Sequence, residues 1–86
     1  MLFKKRDIEL GDKARSVVQN EAYQEAFKYI HNVYTQAFIN TAENESDKRE
    51  KAYMAIRMLE EVDAQLTSMM DKGKLARQHL DKLNRK

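Results

Sequence analysis

The side chains able to do chemistry are few in this chain, and their spacing does not favour it. His31 stands between Ile30 and Val33 in a helical pattern, with Phe27 and Thr35 four residues to either side. No second ligand therefore falls at the three- or four-residue step that a metal site on one helix face needs. His79 lies among Arg77, Gln78 and Lys82, and that cationic setting disfavours a metal ion. Glu60, Glu61 and Asp63 crowd carboxylates onto one turn. With no histidine, glycine-rich loop or positioned nucleophile beside them, they describe a solvated face better than an acid and base pair. Ser16, Ser46 and Ser68 belong to no nucleophile motif. The expectation is a protein without catalytic residues, metal ligands or cofactor. Tyr23, Phe27, Tyr34, Phe38 and Tyr53 offer a stacking platform for bases, but their helical spacing favours core packing. Met54, Met58, Met69 and Met70 suit either an adaptable binding groove or gap-filling in a thin core.

The elements that hold these residues are helices. The chain has 86 residues, no proline, no cysteine and two glycines, and it is rich in the straight-chain residues and alanine that favour helices. Length predicts one domain in which only about 60 to 65% of the unfolded chain's surface is removed from water, so stability leans on assembly or a bound partner. Absence of cysteine excludes a disulfide framework and a thiolate metal site, and it permits a reducing cytoplasm without requiring one. No stretch approaches the roughly 20 apolar residues that span a bilayer, so no membrane is expected. Met1 to Arg6 carries charge without an apolar run behind it and does not read as a secretory signal.

The strongest pattern runs over residues 52–83. Ala52, Ala55, Leu59, Val62, Leu66, Met69, Gly73, Ala76, Leu80 and Leu83 alternate three- and four-residue steps without a slip, the repeat of a coiled-coil-like helix with an apolar seam. Upstream, Ala22, Tyr23, Ala26, Phe27, Ile30, Val33, Tyr34, Ala37 and Phe38 make a broader stripe, as on a helix packed on two sides. Residues 41–46 lose the period and gather cap-formers: Asn44 or Ser46 can cap the next helix, with Glu45, Asp47 and Glu50 at the positive end of its dipole. So short a connection predicts antiparallel neighbours.

The expected fold is all-α: an antiparallel helical hairpin or three-helix bundle with a long C-terminal coiled-coil-like helix over 47–84. Residues 1–11 read as an arm in which Leu2 and Phe3 anchor on a neighbour. Residues 12–41 read as either one helix or two, with Asp12 as the first cap and Asn20 as the joint between two.

Geometry makes the long helix a problem. The helix ending near Thr41 spans roughly 33 Å and the last one roughly 57 Å, so its tail overhangs. The overhang can be covered by residues 12–19, by a second copy or by a foreign partner, or it can fold back at a break at Gly73, where glycine after Lys72 resembles a C-cap. The tail seam of Gly73, Ala76, Leu80 and Leu83 is narrow and lies between basic walls that include Lys72 and Arg77. A parallel homodimer would set those like charges together. These six residues are the expected partner-binding surface, meeting an acidic or phosphate-bearing surface or an antiparallel copy. Lys4, Lys5 and Arg6, with Lys74, Arg77, Lys82, Arg85 and Lys86, are the candidate phosphate contacts, although bases near a helix C-terminus are also favoured by its dipole alone.

The layout Tyr23-Gln24-Glu25-Ala26-Phe27, Phe38 ahead of the Thr41 loop, Arg49-Glu50 with Tyr53, Leu59, and Gly73-Lys74-Leu75-Ala76 resembles small helical proteins encoded by tailed bacteriophages. Over residues 18–83 it departs from their pattern where tryptophan is frequent and this chain has Phe38 or Tyr53. The resemblance implies a phage product acting in a bacterial host cytoplasm or in the virion, and it supplies no functional residues. The expected function is a non-enzymatic interaction or assembly module that forms a homo-oligomer or binds another protein. The alternatives are a nucleic-acid-associated accessory protein and an oligomer with a small-molecule pocket between subunits.

Overall fold

A computed structural model describes residues 4–85. Among these, the regular structure is three α-helices: α1 (Lys5–Gln19), α2 (Glu21–Ile39) and α3 (Ser46–Asn84). The all-α fold with a long last helix is as the sequence predicts. The arm expected over residues 1–11 is corrected: helix begins at Lys5, while Leu2 and Phe3 lie outside the described residues. The early start has a local cause. Asp7, in the first turn, reaches back to accept the Lys4 backbone N–H at 2.8 Å, which satisfies a free donor and sets an acid at the positive end of the helix. Asp12 is therefore interior, not a cap.

Residues 12–41 form parts of two helices. Asn20 takes an extended conformation (φ −70°, ψ 124°), and its N–H donates to the Val17 carbonyl at 3.1 Å, closing α1. The break expected at Gly73 is absent: α3 runs through it unbroken, and neither glycine has a positive φ. Both glycines have another use, in the close helix crossing described below.

Contacts divide the chain into two compact units. One joins α1 to the part of α3 from Ala64 onward; the other is Glu21–Asp63, the hairpin of α2 and the start of α3. In the hairpin, Arg49 lies against the end of α2 while Asp63 lies close enough to the α2 start to act on Tyr23, so the two helices are antiparallel. The connection is clamped by Glu45 and Arg49. The Glu45 carboxylate accepts the Ala42 N–H at 2.7 Å, and the Arg49 guanidinium donates to Thr41 Oγ1 at 3.1 Å and to the Ala42 carbonyl at 3.2 Å. Glu45, rather than Asn44 or Ser46, occupies the position before the helix.

The core is thin in both units. Among the described residues, the buried apolar side chains are alanines: Ala14 and Ala76 in one unit, Ala52 in the other. Every larger apolar side chain among the described residues keeps contact with water. The predicted seam of α3 is also turned slightly, since Ile56 and Met70 are half-buried while Val62 and Met69 are exposed. The half-buried file of α2 is Tyr23, Phe27, His31 and Thr35, leaving Ile30, Val33, Tyr34 and Phe38 exposed.

Candidate interaction surfaces

In the unit formed by α1 and the end of α3, Gly11 and Gly73 meet. A methyl group placed on Gly11 would lie 2.9 Å from the Met69 carbonyl oxygen and 3.0 Å from Gly73 Cα. One placed on Gly73 would lie 2.9 Å from the Asp7 carbonyl oxygen and 3.0 Å from Gly11 Cα. Gly11 faces residue 69 while residue 7 faces Gly73, so these helices are antiparallel too. Only glycine lets the backbones come this close, and Ala14 and Ala76 are buried in the same unit.

This crossing corrects the expected partner surface. Gly73 and Ala76 are covered by α1 of the same chain. The basic walls of the tail do meet acids, but the acids are intramolecular: Lys72 Nζ lies 4.0 Å from Asp7, and Arg77 Nη2 lies 3.1 Å from Asp12. Leu80 and Leu83 differ, remaining 46% and 62% exposed. With Ile8 they floor a groove of about 290 Å³ rimmed by Lys4, Lys5, Arg77 and His79, with Glu9 as its acid. His79 is half-buried as part of this wall. Ile8 escaped the sequence reading because the residues around it show no period.

The antiparallel crossing also gathers bases. Lys4, Lys5 and Arg6 begin α1 where Lys82 and Arg85 end α3, so the two basic stretches share one end of this unit. Those five and Lys74 are exposed; Lys86 lies outside the described residues.

In the hairpin unit, Met54 and Met58 point outward, 58% and 69% exposed, and with Ala55 they form an open apolar face bordered by Asp47, Glu50 and Lys51. They are not core gap-fillers. Along α2, Tyr23 and His31 are half-buried polar members of the hairpin. His31 is half-buried, its ring stacked on Phe27 with centroids 6.2 Å apart and its Nδ1 3.4 Å from Thr35 Oγ1. The Tyr23 phenol is pushed above its ordinary value by burial and, secondarily, by the charge of Asp63. Glu60, Glu61 and Asp63 are exposed, with Glu60 paired to Arg57 at 3.4 Å. Among the described residues, no three acids or histidines converge as a metal-binding group, and no helix is long and apolar enough to cross a membrane.

The described residues thus offer several open apolar faces and a basic end. No family model, no curated protein and no solved structure matches this chain.

Proposed function

We propose that the protein is a non-enzymatic helical association module whose working state contains more than one copy of the chain. The observation that carries this reading is the absence of any buried apolar side chain larger than alanine among the described residues, while Met54, Met58, Val62, Leu80 and Leu83 stand in water. Fully burying an exposed side chain of this kind is worth about 1.5 to 3 kcal/mol, and these, about half exposed, would gain a fraction of that each on being covered. Together with the resemblance of residues 18–83 to phage-encoded helical proteins, the reading is an assembly or host-interaction factor acting through protein contacts. Sedimentation equilibrium on the purified chain tests it. Masses that are multiples of 10.2 kDa, persisting in high salt, support association through apolar faces; a single copy at every concentration contradicts it.

A second reading has its own observation, the meeting of Lys4, Lys5 and Arg6 with Lys82 and Arg85 at one end of a unit. Such a cluster suits a phosphate backbone, and a complex with nucleic acid would weaken steeply as salt rises. Electrophoretic mobility of a DNA or RNA probe across a salt series decides it.

A further inference from the structure

Two of the open apolar faces differ in the charge at their edges. The groove floored by Ile8, Leu80 and Leu83 has Lys4 and Lys5 on its rim against the acid Glu9, with Arg77 beside them already paired to Asp12. The face floored by Met54 and Met58 has Asp47 and Glu50 against Lys51 on its border.

We infer that the basic groove of one copy receives the acid-rimmed methionine face of a second copy, so that the chain assembles head to tail. This inference rests on the association reading above and names its partner and its contact. Methionine side chains are unbranched and adapt to an irregular groove. The lysine stems can lie along them while their ammonium groups reach Asp47 and Glu50. Pairing two basic grooves, or two acidic faces, sets like charges against each other at the edge of a dry contact, which selects the unlike pairing. Made reciprocally by two copies, such a contact closes a two-fold pair; made in one direction only, it continues into a ring or a filament.

The test is a charge exchange on the full chain. One variant carries Lys4→Glu and Lys5→Glu, the other Asp47→Lys and Glu50→Lys, with circular dichroism confirming that each remains helical. Each alone is expected to associate at least about tenfold more weakly than the native chain by light scattering. Mixed one to one they recover assembly, because every groove again meets a face of opposite charge. Native-like assembly of both variants alone overturns head-to-tail docking while leaving self-association standing. So does loss of assembly without recovery on mixing. A native chain that is a single copy removes both proposals, and native assembly abolished by nuclease shows that a phosphate backbone, not a second copy, fills the basic groove.

Discussion

Gly11 and Gly73 contact each other reciprocally: the hydrogen that replaces a side chain on each points toward the carbonyl oxygen four residues before the other, Met69 for Gly11 and Asp7 for Gly73. Alanine at either position places its methyl 2.9 Å from a backbone oxygen, and backbone cannot swing aside as a flexible side chain would.

Gly11→Ala and Gly73→Ala are each expected to destabilise the fold. Overpacking costs about 1 to 3 kcal/mol, and the better helix propensity of alanine offsets about 1 kcal/mol of it. A net loss of up to about 2 kcal/mol is expected in urea unfolding at fixed protein concentration. The double variant should lose less than the sum of the two, because one separation of the helices relieves both clashes. Additive losses would mean that the glycines do not share a contact.

The ion pairs flanking this crossing guide more than they stabilise. Arg77 and Asp12 are each more than half exposed, and Lys72 reaches Asp7 only at 4.0 Å. Asp12→Asn is expected to cost at most about 1 kcal/mol, and that small difference should vanish in high salt. Thermal melts with and without salt check it.

The hairpin connection should be sensitive to acid. The Glu45 carboxyl is held below its ordinary 4.5, first by the hydrogen bond from Lys48 at 2.6 Å, then by the Ala42 N–H. A folded value below the unfolded one means that its contribution is present above pH 4.5 and is lost as pH falls through the lowered value. Thermal melts from about pH 6 to about pH 3 should show a smaller acid-induced loss in Glu45→Gln than in the native chain. Equal losses in both would show that Glu45 does not hold the loop.

Much of this architecture could be read from the sequence. The three- and four-residue steps over residues 52–83 gave the long helix, and the loss of period over residues 41–46 gave the hairpin turn, because both signals are local. The start of α1 could not be read, since residues 1–11 carry no apolar period and Gly11 looks like punctuation. Gly73 misled for the same reason: its propensity cost is visible in the sequence, whereas the backbone it makes room for lies 62 residues away. The basic tail calls for acids opposite it, but its sequence does not say which ones. Knowing that Asp7 and Asp12 meet Lys72 and Arg77 requires knowing that α1 lies antiparallel to the tail. The outward turn of Met54 and Met58 was equally hidden, because a seam and its flank differ by a fraction of a turn in a helix with few large buried anchors.

The methionine methyl groups report directly on whether a second copy covers what one copy leaves open. With ¹³C-labelled methionine and a soluble paramagnetic agent, the Met54 and Met58 signals should relax strongly in dilute protein and become protected as concentration rises, while half-buried Met70 changes little. Met54 and Met58 methyls that stay fully accessible at every concentration would contradict association through this face.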